Sequence, residues 1–319
     1  MLDRESIRSE GKSGFEQNFS LFEENSWLFD ENKGDFGKIQ LFRSRILFLG
    51  QALIIKNQKK EFIMTSLVKK LGLKDFRANL LQIKKKANVD FEWYPYESLN
   101  NFTIINDVLK NGKQENFFQE LDKNKPILDI GCADGDVAFL FESLGFFVDV
   151  IDRPATNFND LKACKFLKSE LNSKINILEY DVDRNLELKQ DYGFTFAMGI
   201  LYHLRNPFYF LNMLCLRSEY VLISTRIASH APDGTKIKNL SVAYLVGAEE
   251  LNNDPTNYWI FSLKGIRQLI KRSGFNIVCE HRIGEVDKST PHIVYEDERY
   301  FALLKRIDNY KDIFNHHHF

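Results

Sequence analysis

Acidic residues and glycines cluster between residues 129 and 152 at a spacing that suits the binding of a nucleoside. Asp129 precedes the glycine turn Gly131–Gly135, and Asp152 follows that turn by one helix and one strand. Small residues in such a turn let a ligand approach the backbone, and a carboxylate at the end of the second strand accepts protons from both ribose hydroxyls. The pattern therefore predicts a nucleoside cofactor whose ribose lies against Asp152.

A dinucleotide site is the alternative interpretation of this turn. It requires the spacing G-x-G-x-x-G, which seats a pyrophosphate on the backbone amides at a helix start. Here the turn has only Gly131 and Gly135, and Asp134 and Asp136 would repel a pyrophosphate. The same carboxylates suit a ligand that carries an ammonium and a sulfonium, so the sequence favours S-adenosylmethionine over a nicotinamide dinucleotide.

The elements that must position these residues follow from hydrophobic spacing. An apolar run at 127–130 predicts a strand, apolar residues at three- and four-residue intervals over 137–144 predict a helix, and 147–151 predicts the second strand. The later chain predicts helices at 159–171, 207–216 and 263–273, and strands at 175–180, 194–198, 220–224, 275–280 and 299–304. This order predicts an α/β fold with a doubly wound, seven-stranded, mostly parallel sheet that has an antiparallel end.

The stretch Leu128-Asp-Ile-Gly-Cys-Ala-Asp-Gly135, with the acid Asp152 on the next strand, resembles the first motif of class I S-adenosylmethionine-dependent methyltransferases. The resemblance implies a Rossmann-like domain, this cofactor and methyl transfer. Asp181, directly after the third strand, is in place to accept from the adenine amino group, with helix capping as the alternative. The residues expected to contact the cofactor in these regions are Asp129, Gly131, Cys132, Ala133, Gly135, Asp152, Arg153, Asp181 and Val182.

The loop after the fourth strand, 198–207, is expected to face the transferred methyl group. His203 titrates near neutrality and is the predicted base for an acceptor hydroxyl, while a buried structural histidine is the alternative. The run Met198-Gly199-Ile-Leu-Tyr202-His203 resembles the tRNA wobble-uridine carboxymethyltransferase family. That resemblance implies that Met198 and Tyr202 contact the cofactor. We also predict that Gly199 contacts the cofactor and that Tyr202 is a catalytic residue beside the transferred methyl group.

An aromatic segment at 91–96 precedes the cofactor turn. Aromatic faces favour an adenine ring and a sulfonium, so Trp93, Tyr94 and Tyr96 are candidates for a lid over the cofactor, Trp93 foremost. A packed linker is the alternative. The carboxymethyltransferases hold the carboxylate of a carboxylated cofactor partly with a Lys-Gly-Pro stretch upstream, and none precedes Trp93 here. The sequence therefore favours ordinary S-adenosylmethionine.

A long connection after the fifth strand, 227–261, is the predicted substrate region. Connections of this length are usually functional, and this one is rich in aromatic and hydrogen-bonding residues, His230 and Asp254 among them. The run at 253–259, Asn-Asp-Pro-Thr-Asn-Tyr-Trp, resembles bacterial methyltransferases of uncharacterised substrate that often belong to saccharide pathways. A small-molecule or saccharide-type acceptor is therefore expected.

Composition describes a globular protein: of 319 residues, 44% are hydrophobic and 27% charged. No run is long enough for a membrane span, the polar N-terminus lacks the apolar core of a secretory signal, and the 4 cysteines are isolated, which together predict a cytoplasmic protein without structural disulfides. No metal site is expected, since His316–His318 are read as a terminal tail.

Charge divides the chain unevenly. Residues 38–86 carry 13 Lys or Arg against the acids Glu61 and Asp75. We therefore predict a polar, partly irregular N-terminus at 1–37, a basic helical appendage with the aromatic lid at 38–115, and the cofactor domain at 116–319. The basic segment leaves tRNA open as a partner, as well as a protein or the chain's own acidic body. The alternatives to a small-molecule methyltransferase are a tRNA enzyme and a non-catalytic cofactor-binding module, and the sequence leaves the oligomeric state open.

Overall fold

The computed structural model describes residues 66–184, 186–251, 254–292 and 297–311. The predicted N-terminus 1–37, the first part of the basic segment, 38–65, and the terminal histidines lie outside the described residues.

The described chain begins with helices and continues as strands and helices in alternation. The helices are α1 Ser66–Lys70, α2 Leu73–Lys86, α3 Asn101–Asn111, α4 Phe117–Glu120, α5 Asp136–Ser143, α6 Lys162–Glu170, α7 Pro207–Arg217 and α8 Leu263–Arg272. The strands are β1 Ile127–Ile130, β2 Val148–Asp152, β3 Asn176–Glu179, β4 Tyr192–Met198, β5 Ser218–Ala228, β6 Ala243–Leu245, β7 Trp259–Ser262, β8 Phe275–Gly284 and β9 Glu298–Arg306.

Seven of the strands form the predicted doubly wound sheet, in the order β3-β2-β1-β4-β5-β9-β8. The first five are parallel, and β9 runs antiparallel to both β5 and β8. Every residue of β1 is buried, as expected for a parallel strand covered on both faces. The fold class and the antiparallel end predicted from the sequence are confirmed.

Two further strands, β6 and β7, enlarge the predicted seven-stranded sheet to nine strands within the described chain. The last β4 partner on β5 is Ser224, while β9 pairs along the opposite edge as far as Ile227. The end of β5 therefore has one open edge, and β7 pairs there through Phe261 and Ser262. This pairing places the residues just before β7 beyond the carboxyl end of β4.

Helix α6 begins later than the predicted start at residue 159. Asp160 and Leu161 have φ angles of 56° and 61°, in the left-handed region that no α-helix of L-residues can use. The Asn157 side chain accepts from the amide of Leu161 at 2.9 Å and stabilises this turn. A polar loop therefore replaces the first helical turn.

The described part of the basic appendage packs on the sheet. Leu67 of α1, Leu80 of α2 and Phe102 of α3 are buried in the same hydrophobic cluster as Phe139 of α5 and Phe194 of β4. Gly72, whose φ of 59° lies in the left-handed region, separates α1 from α2. These helices cover one face of the sheet beside the cofactor turn.

Candidate functional site

The turn after β1 has backbone angles that only a tight connection requires. Gly131 and Gly135 have φ angles of 74° and 86°, and Ala133 between them has a φ of 52°. A Cβ on Gly135 would lie 2.9 Å from both Cys164 Sγ and a Phe139 ring carbon, so no side chain fits there. A left-handed alanine costs free energy and is typical of functional sites. The turn lies at the carboxyl end of β1, where doubly wound sheets bind ligands.

Asp152 at the end of β2 lies against this turn, as predicted. Its carboxylate accepts from the Ala133 amide at 3.3 Å and from Asn157 Nδ2 at 2.9 Å, while the Cys132 thiol lies 3.9 Å away. Burial raises the pKa of Asp152 above its usual value, and the hydrogen bonds from Asn157, Arg153 and Ala133 oppose that rise. The carboxylate is therefore held in a fixed orientation beside the turn, where the ribose is predicted to bind.

Replacing Asp152 is expected to weaken the binding of S-adenosylmethionine. Asp152→Ala removes the predicted hydrogen bonds from the ribose to a charged group, which are worth about 1.5–3 kcal/mol. The measurement is calorimetric titration of the full chain with S-adenosylmethionine. Asp149→Ala is the matched control, since Asp149 lies on the same strand but bonds Gln190 and Tyr192, each at 2.7 Å. Unchanged affinity in Asp152→Ala would place the ribose elsewhere.

The other acids of the turn meet a cation from the chain itself. The Lys84 ammonium lies 2.9 Å from Asp134 Oδ2 and 2.8 Å from Asp136 Oδ1. Asp134 also accepts from the Tyr94 amide at 3.1 Å and from Asn159 Nδ2 at 2.9 Å. The sequence reading that Asp134 and Asp136 face the cations of the cofactor is therefore corrected, because α2 supplies the positive charge that neutralises them.

Asp129 at the end of β1 is a further carboxylate beside the turn, and its contact with the cofactor stays a prediction. It is 6% exposed, and its Oδ2 has no hydrogen-bond partner in the described part of the chain. A buried acceptor without a partner costs about 1–3 kcal/mol. An ammonium donor from a bound ligand would satisfy it. The orphaned oxygen of Asp129, beside the open turn, fits the amino acid end of S-adenosylmethionine.

Cofactor affinity should therefore depend on pH. Burial, and to a smaller extent the charges of Asp152 and Asp136, raises the pKa of Asp129 to about 7. Between about pH 4 and 7 the folded protein holds a proton that the unfolded chain has lost, so this group lowers stability as pH rises. A cationic ligand favours the ionised carboxylate, so affinity should rise about tenfold from pH 5.5 to 7, where an α-amino group is still protonated. Calorimetry across this range measures the dependence, and Asp129→Asn should reduce it.

Around the predicted adenine position, the structure brings Asp181 and Arg153 together. Arg153 Nη1 lies 3.1 Å from Asp181 Oδ2, and Arg184 lies 3.4 Å from the same oxygen. Val182 is buried in the core below them. Asp181 is thus oriented by two guanidinium groups at the edge of the site, and its contact with the adenine stays a prediction.

The aromatic segment divides into two parts. Trp93 packs against Phe91 and Phe166 at centroid distances of 5.1 and 5.8 Å, and Lys84 Nζ lies 5.2 Å from its ring centroid. These contacts match the packed-linker interpretation for Trp93, whose contact with the cofactor stays a prediction. Tyr94 and Tyr96 are half-buried with rings 5.4 Å apart, and burial raises the pKa of both phenols. These two tyrosines remain the candidates for a cover over the site.

The loop after β4 carries the predicted catalytic residues. After Met198, the Gly199 amide donates to Ser224 Oγ at 2.8 Å, which ties the loop to β5. A 3-10 turn, Leu201–His203, then places the rings of Tyr202 and His203 4.1 Å apart. Burial lowers the pKa of His203, so the imidazole is neutral at neutral pH.

Two residues that were not predicted from the sequence, Arg299 and Thr256, contact Tyr202 and His203. Arg299 of β9 lies with its guanidinium carbon 5.9 Å from the Tyr202 ring centroid, and Asp297 holds its Nε at 2.8 Å. Thr256, in the connection before β7, contacts Nδ1 of His203. The sequence does contain one signal for Arg299, since it lies at the start of an apolar strand. Because β9 runs antiparallel to β5, its first residues lie beside the carboxyl end of β5.

The described residues contain no group of three metal-binding side chains. In the same ranges, none of the helices has both the length and the apolar character that a membrane crossing requires.

The doubly wound sheet with a glycine turn after β1 and an acid at the end of β2 is the arrangement predicted for an α/β domain that binds a nucleoside carrying a cationic amino acid group. A family model described as a methyltransferase domain matches residues 106–280, which is more than half of the chain. The chain belongs to this family of class I methyltransferases and uses S-adenosylmethionine.

Comparisons with individual proteins give distant likenesses that carry no argument about this chain. No curated protein matches the chain. The N-terminal domain of EvdMO1 with SAH bound is 13% identical, with a TM-score of 0.45 over 72% of this chain and 97% of that one. The [4+2]-cyclase SpnF is 10% identical, with a TM-score of 0.47 over 76% and 97%. An S-adenosylmethionine-dependent methyltransferase from Clostridium acetobutylicum is 11% identical, with a TM-score of 0.42 over 66% and 99%. At these values the likeness says nothing about substrate.

Proposed function

We propose that the protein transfers a methyl group from S-adenosylmethionine to a hydroxyl of a small, saccharide-type acceptor, with His203 as the base. The observation that carries the proposal is the half-buried imidazole of His203, whose pKa is lowered by desolvation and which lies in the loop after β4, at the carboxyl edge of the sheet where doubly wound folds bind ligands. A neutral imidazole accepts a proton, which an oxygen nucleophile must lose as its bond to carbon forms.

The surroundings of His203 support a small acceptor. The amide of Tyr258 donates to the Tyr202 carbonyl at 2.8 Å. This hydrogen bond joins the connection 227–261, which we call the inserted segment, to the loop after β4. Arg205 Nε donates to the Tyr258 hydroxyl at 3.1 Å, and Trp259 Nε1 donates to the Arg205 carbonyl at 3.2 Å. Aromatic rings with polar edges suit a ligand with apolar faces and hydroxyl groups. The inserted segment thus supplies an acceptor wall of the kind a saccharide requires.

The chain's residues have distinct parts in the proposed reaction. S-adenosylmethionine, when bound, supplies a methyl group on a positively charged sulfur that is already a good leaving group. Asp152 and Asp129 orient the ribose and the ammonium, so most of the rate enhancement comes from positioning. His203 takes the acceptor's proton. Tyr202 contacts the cofactor, as the resemblance of its loop to the carboxymethyltransferase family implies.

A labelling experiment tests the proposal. The full chain is incubated with methyl-labelled S-adenosylmethionine and, separately, with a panel of sugars and sugar nucleotides, with total tRNA, or with no acceptor. Label in a sugar-containing compound is expected, and it should be lost in Asp152→Ala. Label in tRNA instead would show that the acceptor is an RNA and not a saccharide. Binding of the cofactor without transfer to any acceptor would favour the non-catalytic module.

A tRNA enzyme is the second candidate, and the exposed lysines of the first helices favour it. Lys69, Lys74, Lys85 and Lys86 are exposed on α1 and α2. Other basic residues of the segment are engaged within the chain, since Lys84 binds the turn acids and Arg77 pairs with Glu97. A true RNA interaction must weaken steeply with salt, because each neutralised phosphate releases counterions.

Ordinary S-adenosylmethionine is the proposed cofactor, in preference to the carboxylated form. Arg226 and Lys84, two basic groups that could replace the absent upstream lysine, are already paired with carboxylates. Arg226 Nε lies 3.1 Å from Asp297 Oδ1, and Lys84 binds Asp134 and Asp136. Direct competition between the two cofactors tests this preference. Tighter binding of the carboxylated form would contradict it and favour a tRNA-modifying enzyme.

A further inference from the structure

A chain of hydrogen bonds links His203 to a carboxylate of the inserted segment. His203 Nδ1 lies 3.0 Å from the Thr256 hydroxyl and 3.2 Å from the Thr256 carbonyl oxygen. The same hydroxyl lies 2.6 Å from Asp254 Oδ1, which also accepts from the Thr256 amide at 2.9 Å. Both partners of His203 therefore come from one short turn, 254–256, just before β7.

The donors and acceptors of these hydrogen bonds fit together in one arrangement. A carbonyl oxygen only accepts, so His203 Nδ1 must carry the hydrogen that meets the Thr256 carbonyl. The Thr256 hydroxyl gives its own hydrogen to the carboxylate of Asp254 and accepts from Nδ1. In a neutral imidazole with a hydrogen on Nδ1, Nε2 holds a lone pair. The nitrogen that can take a proton is thus the one that points away from the turn 254–256.

We propose that Thr256 and Asp254 are positioning residues that hold His203 as the Nδ1–H tautomer, so that Nε2 accepts the acceptor's proton and the Asp254 carboxylate stabilises the imidazolium that forms. This proposal rests on the proposed function and names residues that act through His203. The acceptor oxygen forms its bond to the methyl carbon, the electron pair of the carbon–sulfur bond goes to sulfur, and the hydroxyl proton goes to Nε2.

Charged and titratable groups from every neighbouring element act on His203. Asp254 of the inserted segment favours the imidazolium, Arg299 of β9 opposes it, and Tyr202 lies beside the ring in the same 3-10 turn. Burial is the largest influence and keeps the ring neutral. Removing the Asp254 charge should therefore lower the pKa of His203 further, since only the opposing groups remain.

Nitrogen NMR of the full chain labelled with ¹⁵N-histidine tests the tautomer without any acceptor. The His203 signals are identified by their absence in His203→Gln. The expected result is a protonated Nδ1 and an unprotonated Nε2 in the neutral ring. Asp254→Ala should lower the titration midpoint. Thr256→Val should raise the population of the Nε2–H tautomer, and Thr256→Ser should restore the original one.

The control is Glu249→Gln, which removes a carboxylate from an exposed position of the same inserted segment. It should leave both the tautomer and the midpoint unchanged. An Nε2–H tautomer in the unmodified protein would overturn the proposal. So would an unchanged tautomer and midpoint in both Asp254→Ala and Thr256→Val.

Turnover with the acceptor found in the labelling experiment separates this proposal from the proposed function. Asp254→Ala and Thr256→Val should lower kcat on the order of tenfold to 10²-fold, within the total contribution of a general base, with unchanged KM for S-adenosylmethionine. If His203→Gln lowers turnover and these two variants do not, the positioning proposal fails alone. If His203→Gln leaves turnover unchanged, the proposed role of His203 fails first.

Discussion

His203→Ala is expected to lower turnover by about 10² to 10⁴ while the affinity for S-adenosylmethionine stays nearly unchanged. The expected loss is the contribution of a general base, because the neutral imidazole follows β4 and lies 4.1 Å, ring to ring, from Tyr202. Cofactor affinity should persist, since the groups proposed to hold it lie at the ends of β1 and β2. Steady-state kinetics with the identified acceptor and calorimetry with the cofactor measure the two quantities.

A second histidine variant separates loss of the base from loss of the fold. His281→Ala is the matched control, because His281 contacts Asn111 of α3 at 3.2 Å on another side of the sheet. If His203 only packs the loop, the alanine variant should lose thermal stability and activity together. A stable variant with full turnover would move the base into the inserted segment, where His230 and Asp254 are the next candidates.

Much of the cofactor half of the site could be predicted because its signals are local. A buried strand, a glycine turn, an amphipathic helix and a terminal acid each leave a mark within a few residues of sequence. Strand β1 begins and ends at the predicted residues, and Asp152 lies against the turn. Strand β5 is longer than predicted, since β7 and β9 pair with its final residues and extend it to Ala228.

The acceptor half and the electrostatics of the turn could not be predicted in the same way, because they depend on contacts between distant segments. Lys84 reaches Asp134 across fifty residues of sequence, and Thr256 reaches His203 across fifty-three. Neither contact has a periodic or compositional signature. The sequence alone therefore predicts that Asp134 and Asp136 face the cofactor, whereas Lys84 of the basic segment binds both.

Lys84→Met is expected to destabilise the fold by about 3–5 kcal/mol, the cost of breaking a buried ion pair on one side. The Lys84 side chain is 13% exposed, and Asp134 is 2% exposed. The variant would leave two carboxylates without a cation, one of which, Asp136, already has a pKa raised by burial despite the opposing charge of Lys84. Denaturant unfolding measures the loss, and Lys85→Met, at the exposed neighbouring position, is the control.

The pH dependence of the loss distinguishes electrostatics from packing. Without Lys84, the pKa of Asp136 in the folded state should rise further above its unfolded value, because burial disfavours the charge and the opposing cation is gone. The folded protein then holds protons that the unfolded chain releases, so the stability of Lys84→Met should fall as pH rises from about 4 to 8 and recover in acid. Adding Asp134→Asn and Asp136→Asn should restore part of the stability at neutral pH. A deficit that is independent of pH would mean that Lys84 acts through its contact with Trp93, and that α2 is held to the cofactor turn by packing alone.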